Sequence, residues 1–320
     1  MHIWVTGGAG FVGANLVYRL QHQHPDAHLL VIDDLRTGTF DNLCRPDQPP
    51  FGGTVIARPL HEIDLARLAQ RRPPDVIYHE ASITDTTVDD QSLMIRDNLE
   101  PFEDLLDLAV QRGIPLVWAS SAATYGIEAN GATAAQRPFE LGDAGHPANV
   151  YGFSKWLMEN AARQQLQQHP DAHIVGLRYF NVFGPGEQNK GKMASMIHQL
   201  AGQMRAGQRP RIFTDGSQAR DQVVVHDVVG ATMAGAREGA SSGVYNVGSG
   251  QTTSFNQIVA ALNDAMGTSL EPEYIDNPYS FYQDYTCADL TATRDGLDWQ
   301  PEHDPADAIA DYARWLVEHA

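Results

Sequence analysis

The chain has 320 residues and a formal net charge of −18, from 22 Lys and Arg against 40 Asp and Glu. So acidic a balance excludes a binder of nucleic acid or of an anionic membrane surface, since both need a basic face. Hydrophobic residues at 42% and charged residues at only 19% exclude a disordered chain, and the length accommodates one large domain or two intimate ones.

In chain order, His2–Val5 reads as a strand, then comes a glycine cluster and a helix over Ala14–Gln21. Strands follow at Leu29–Ile32, Val55–Ala57 and Val76–Tyr78, then a helix at Pro101–Gln111, a strand at Leu116–Ala119, a helix at Ser154–Gln168 and a strand at Ile174–Leu177. Apolar strands separated by helices predict a parallel sheet covered on both faces. Beyond Tyr179 the rhythm changes: a helix at Met193–Met204, strands at Arg209–Phe213, Val223–Val225 and Gly243–Val247, and helices at Ser254–Met266 and Pro305–Ala320. The two cysteines, Cys44 and Cys287, fall outside any CxxC pattern, so neither a disulfide scaffold nor a cysteine zinc site is expected, and no metal. No window approaches the roughly 20 apolar residues of a membrane span, and no leader-like segment opens the chain; a soluble, cytoplasmic protein is expected.

The first strand runs into Gly7, Gly10 and Gly13 in a GxxGxxG spacing, followed by a helix. Such a turn aims backbone N–H groups and a helix N-terminus at a pyrophosphate. A glycine string alone also fits a tight turn. The second strand, however, ends in Asp33, about 20 residues beyond the last glycine, where an acid can bond the adenosine ribose. Together these predict a dinucleotide site. The expected fold is α/β: a Rossmann-type doubly wound parallel sheet in residues 1–180 with a return segment 222–250. A smaller, interleaved substrate domain is drawn from 181–221 and 251–320, with ligands in the cleft between.

Tyr151 and Lys155 stand in a YxxxK spacing at the start of a helical pattern. Residues four apart share a helix face, so the Lys155 ammonium is expected to lower the pKa of the Tyr151 phenol. A phenol so tuned exchanges a proton with a substrate hydroxyl while hydride moves to or from a nicotinamide. Upstream, a strand ends in Ser120-Ser121-Ala122-Ala123-Thr124-Tyr125-Gly126. With the glycine loop, serine strand end and YxxxK in this order, the chain resembles the extended short-chain dehydrogenase/reductase family over nearly its whole length. The resemblance implies that Ser121 bonds the reacting oxygen, Tyr151 is the acid/base and Lys155 also holds the nicotinamide ribose. It further implies cofactor contacts from Phe11, Val12, Asp34, Glu80, Ala81, Thr84, Asn98 and Val182.

Dehydratases and decarboxylases of that family carry acids at the strand end, where this chain has Ala122 and Ala123. An epimerase is therefore expected. Arg178–Pro185 and the run Asn189-Lys190-Gly191-Lys192-Met193-Ala194-Ser195 resemble the ADP-L-glycero-D-manno-heptose 6-epimerase branch of the family. That branch implies Lys190 as a second proton carrier opposite Tyr151; without the resemblance, a diphosphate contact or a merely solvated lysine is the simpler reading. It also implies substrate contacts from Ser121, Asn181, Lys190, Lys192, Gln199, Phe213, Arg220 and Tyr282. The alternatives are a UDP-galactose-type 4-epimerase and a non-catalytic nucleotide-binding protein. The cofactor is expected to be NAD or NADP, tightly bound: the resemblance favours NADP, whereas Asp33-Asp34 beside a lone Arg36 leans to NAD. The expected partners are a nucleotide-diphosphate sugar and, through the helices at 100–111 and 154–168, a second copy of the chain.

Overall fold

The computed structural model describes residues 1–126, 136–277 and 283–319. The first half alternates β1 (His2–Thr6), α1 (Phe11–Gln23), β2 (His28–Asp33), α2 (Phe40–Leu43), β3 (Thr54–Ala57), α3 (Leu65–Arg71) and β4 (Val76–His79). It continues through α4 (Gln91–Met94), a single π-turn (Ile95–Leu99), α5 (Glu100–Arg112), β5 (Leu116–Ser121), α6 (Val150–Gln168) and β6 (Ile174–Tyr179). The second half holds β7 (Asn181–Phe183), α7 (Met196–Arg205), β8 (Arg211–Phe213), β9 (Ala219–Arg220), β10 (Gln222–Val224) and α8 (Val225–Gly235). After these come β11 (Gly243–Val247), β12 (Thr253–Ser254), α9 (Phe255–Met266), β13 (Glu273–Ile275), α10 (Thr291–Leu297) and α11 (Pro305–Glu318).

Seven strands form one sheet in the order β11-β6-β5-β4-β1-β2-β3, and every pairing in it is parallel. The chain winds one way from β1 to β3 and the other way from β4, so the switch point lies between β1 and β4. Side chains alternate between two cores. Ile3 and Val5 of β1 join Val117, Val175 and Leu177 under α1 and α8; Trp4 joins Leu30, Phe102, Trp118 and Met158 under α5 and α6. With both faces covered, β4 and β6 are buried at every position, which is why they read as continuous apolar runs.

Several strands reach further than the apolar pattern indicates: β1 to Thr6, β2 to Asp33, β4 to His79, β5 to Ser121 and β6 to Tyr179. The added residues are polar and stand at the C-terminal rim, where ligands rather than core decide identity. Helix α6 begins at Val150, earlier than the apolar pattern, because Asn149 caps it by accepting from Gly152 N at 2.7 Å. Val225 opens α8 and does not extend a strand, a difference from the sequence expectation. That helix is buried on nearly all sides and so lacks the polar face that marks an amphipathic helix.

The other half has its own core, where Phe183, Ile197, Leu200, Phe255, Ile258, Ile309 and Leu316 pack α7, α9 and α11 together. Leu297 and Trp299 return to the core under α1 and α8. Among the described residues, no helix is long and apolar enough to cross a membrane.

Candidate active site

The glycine turn leaves β1 at the switch point. Gly7 has φ +68°, and a Cβ there would lie 2.5 Å from Ala81 N; a Cβ on Gly13 would lie 2.1 Å from Gly7 O. No side chain fits at either position, and the turn stays flat against α1. Helix α1 starts at Phe11 behind Gly10, with no side-chain cap and no acid in its first turn. Its first amides, Phe11 and Val12 included, are the orphan donors and positive dipole end that bind an anion. This cradle fits a dinucleotide diphosphate.

Asp33 is buried at the end of β2, and its carboxylate accepts from Ala9 N and Leu35 N, both at 2.9 Å. Burial raises its pKa and those bonds oppose the rise. Arg36 is committed to two acids: NH1 lies 2.7 Å from Asp97 Oδ2 and NH2 3.1 Å from Asp34 Oδ2. Ala81 abuts Gly7, Thr84 is exposed, and Val182 packs partly buried against the α1 core. Asn98 has a structural task of its own. It is fully buried, with Oδ1 accepting from Ile83 N at 2.7 Å and Nδ2 reaching Ile83 O and Ser154 Oγ at 3.1 Å, so it braces the loop after β4 against α6.

The ends of β4 and β5 and the start of α6 bring Glu80, Ser121, Tyr151 and Lys155 together. The Ser121 hydroxyl lies near enough to the Tyr151 phenol to favour its ionised form. Lys155 is 1% exposed; its Nζ donates to Ala119 O at 2.7 Å and lies 6.0 Å from the Tyr151 ring centre. Burial pulls Lys155 down to about 8, against the pull of Glu80 and Glu159. The expected depression of the phenol is not what the structure shows. Burial raises Tyr151, the Ser121 hydroxyl only partly offsets this, and the Glu80 charge adds to it. The Lys155 ammonium donates to the Ala119 carbonyl and does not counter the effect of burial on the phenol. Glu80 keeps some solvent contact as a residue, but its carboxyl is enclosed and pushed up to about 7. It accepts from Tyr179 OH at 2.9 Å.

Lys190 sits in the 3-10 segment Glu187–Met193, its Nζ 5.3 Å from the ring centre of Phe11. Burial lowers its pKa, opposed by the charge of Glu187. Glu187 is fully buried and gathers the segment by accepting from Gly184 N at 3.1 Å, Ser195 N at 2.5 Å and Ser195 Oγ at 2.8 Å. Asn181 is exposed at the start of β7, and its Oδ1 accepts from Thr286 Oγ1 at 3.4 Å. Arg220 lies buried on β9, paired with Thr253 of β12, and Phe213 ends β8 half-buried.

Two substrate candidates are engaged elsewhere. Gln199 Nε2 donates to Ala194 O at 2.8 Å and Lys192 O at 3.2 Å, closing its own loop. Lys192 pairs with Asp85 at 3.1 Å. Tyr282 lies outside the described residues.

Glu159, Tyr179 and Asp221 escape the motif-based reading because most of their partners lie far along the chain, and Glu187 escapes it although Gly184 and Ser195 are near. Asp221, beside Arg220, accepts from Ser249 N at 2.6 Å, Ser249 Oγ at 2.8 Å, Ala288 N at 2.9 Å and Gly250 N at 3.0 Å, and burial lifts it to about 6. One signal was available for Glu187: an acid directly after Gly184-Pro185-Gly186, within reach of the tight loop it closes.

Residues 3–248 match the family model for the NAD dependent epimerase/dehydratase family. The ADP-L-glycero-D-manno-heptose-6-epimerase of Helicobacter pylori is 36% identical, with a TM-score of 0.85 over 99% of this chain and 96% of that one. The UDP-glucose 4-epimerase of Thermotoga maritima, solved with UDP-glucose, is 25% identical with a TM-score of 0.87 over 100% of this chain and 99% of that one. The Thermus thermophilus UDP-glucose 4-epimerase, solved with NAD, is 25% identical with a TM-score of 0.84 over 100% of both. The chain belongs to the NAD dependent epimerase/dehydratase family, as an NAD(P)-dependent isomerase of its nucleotide-sugar epimerases.

Proposed function

We propose that the protein is an ADP-glycero-manno-heptose 6-epimerase. The observation that carries this reading is a division of proton carriers. The end of β5 offers Ala122 and Ala123 and no acid for dehydration, while a half-buried lysine, Lys190, is delivered by a different segment from the one bearing Tyr151. A second proton carrier lets the carbinol oxygen be served in both orientations of a ketone that turns over, as 6-epimerisation here would use, whereas elimination needs an acid at the leaving hydroxyl.

The bound nicotinamide supplies a reversible acceptor and donor of hydride. Around it the chain's own groups manage the proton. Burial lowers the pKa of Lys190 and raises that of Tyr151, which moves the lysine toward the base role and the phenol toward the acid role. One of them takes the C6 hydroxyl proton as the carbon is oxidised. The 6-keto sugar turns over in the pocket, and the other returns a proton to the oxygen as the opposite face is reduced. Ser121 holds that oxygen against Tyr151, and Arg220 meets the substrate diphosphate.

We assign NAD over NADP, because Arg36 is held by Asp34 and Asp97, and the two carboxylates would repel a 2′-phosphate. Competition binding decides this; tighter binding of NADP would reverse the assignment.

NMR of ADP-heptose incubated with the protein tests the reading: exchange between the two C6 epimers is expected, and unchanged sugar rejects it. The likeness to UDP-glucose 4-epimerases supports a second reading, 4-epimerisation of a UDP-sugar. A Lys190→Ala variant with full epimerase activity would favour that second reading.

A further inference from the structure

Segment 184–195, which carries Lys190, is fastened on both sides of the glycine turn. On the β2 side, Asn15 Nδ2 and Arg45 NH1 donate to Pro185 O at 2.9 and 3.2 Å, and Asn189 Nδ2 donates to Asn42 Oδ1 at 3.1 Å. Asn42 in turn donates to Ala9 O of the glycine turn at 2.9 Å. On the β4 side, Lys192 Nζ lies 3.1 Å from Asp85 Oδ2 and donates to Thr87 Oγ1 at 2.9 Å. Thr87 Oγ1 donates to Asp85 Oδ1 at 2.6 Å, so the three groups close a triangle. Strand β1 lies between β2 and β4 in the sheet. The segment therefore passes over the C-terminal end of β1, above the amides that face a diphosphate. Lys190, stacked on Phe11, lies between the two fastenings.

The fastenings differ in kind. The β2 side rests on several side chains that are themselves buried, Asn15, Asn42 and Arg45 among them. The β4 side is one lysine with its side chain 66% exposed, paired with one loop acid. An exposed pair of this sort is weak and screened by salt, so this is the side that opens.

We propose that Lys192, Asp85 and Thr87 form a latch that fastens segment 184–195 over the dinucleotide site and slows departure of the cofactor. The latch requires only that the dinucleotide bind at the glycine turn. Its benefit rests on the epimerase reading: a cofactor restored in every cycle need not leave, and loss of the reduced form midway would strand an oxidised sugar.

The test is displacement of bound NADH by excess NAD, or NADPH by NADP if that pair binds more tightly, followed by nicotinamide fluorescence with no sugar present. Lys192→Ala should release NADH about threefold faster at low salt, the size of effect an exposed ion pair provides. Salt should bring the wild-type rate up to that of the variant and leave the variant unchanged. The charge swap Lys192→Asp with Asp85→Lys should recover the slow rate, and amide exchange over 184–195 should quicken in Lys192→Ala alone. Equal release and equal exchange in wild type and Lys192→Ala overturn the latch. Failure of both dinucleotides to bind overturns the latch together with the site beneath it. A latch that behaves as expected in a protein that does not epimerise ADP-heptose supports the latch and rejects only the sugar.

Discussion

Replacing Glu159 by Gln asks whether a buried charge behind β5 holds the two catalytic elements together. The Glu159 and Arg178 side chains are 0% and 1% exposed. The two Glu159 oxygens accept from Arg178 Nε at 2.8 Å and NH2 at 2.7 Å, Ser120 Oγ at 2.7 Å and Arg163 NH2 at 2.6 Å. Helix α6, which bears Tyr151 and Lys155, is thereby joined to β5 and β6. Glutamine keeps one acceptor and turns an N–H donor toward a guanidinium. Arg178 retains the Tyr125 hydroxyl and the Leu141 carbonyl, both at 2.9 Å, but no opposite charge. Breaking one half of a buried pair costs about 3–5 kcal/mol, and the two remaining neutral acceptors place this case near the lower figure, about 3 kcal/mol. With a urea slope of about 3 kcal/mol/M, the midpoint should fall by about 1 M. Urea unfolding read by tryptophan fluorescence measures it. The double variant Glu159→Leu with Arg178→Met, which removes both charges, should be no less stable than Glu159→Gln. A loss below about 1 kcal/mol, or a double variant much worse than the single one, would refute this account of the pair.

Tyr151→Phe should lower epimerisation by about 10²–10⁴-fold, the usual worth of a positioned acid/base, while NADH still binds; near-normal turnover would remove Tyr151 from the chemistry. Gly13→Ala should yield protein that does not retain cofactor, because the added methyl meets the Gly7 carbonyl; retention detected by mass spectrometry of the denatured protein would contradict the cradle. Glu80 predicts a pH dependence of stability. Its carboxyl pKa rises from 4.5 to about 7 on folding, so between those values the folded state holds the extra proton. The stability this provides is fully present below 4.5 and lost as pH rises through about 7. Melting temperatures of wild type relative to Glu80→Gln should fall across that window, and parallel curves would show that Glu80 does not titrate there.

The sheet was legible because both of its faces are buried, which makes β1, β4, β5 and β6 apolar at nearly every position. The glycine turn and YxxxK were legible because their chemistry needs fixed local spacing. What stayed hidden depends on residues far apart in sequence. No local pattern announces that Lys192 reaches Asp85, that Arg178 pairs with Glu159, or that Asn98 spends its amide on Ile83 and Ser154. Sequence position alone placed Gln199 at the substrate, and only its geometry shows the amide turned onto its own loop. The reversal at Tyr151 has the same origin: i to i+4 spacing sets a shared face, but burial of the phenol and the claim of Ala119 O on the ammonium are tertiary facts.

The edge strand β11 bears on how such a protein can be altered. The chain leaves the sheet at Tyr179 and comes back only at Gly243 to pair Gly243–Val247 with Val175–Tyr179. A fragment stopped at residue 180 would keep the glycine turn and YxxxK, yet expose β6 as a bare edge and lose α8 from above Val175 and Leu177. Bare edges of that length invite pairing between molecules. The dinucleotide half is thus not a detachable module. A new sugar specificity has to be written into the loops between Tyr179 and Gly243 and beyond Val247 while the chain stays whole, because exchanging one half for another would cut through the sheet itself.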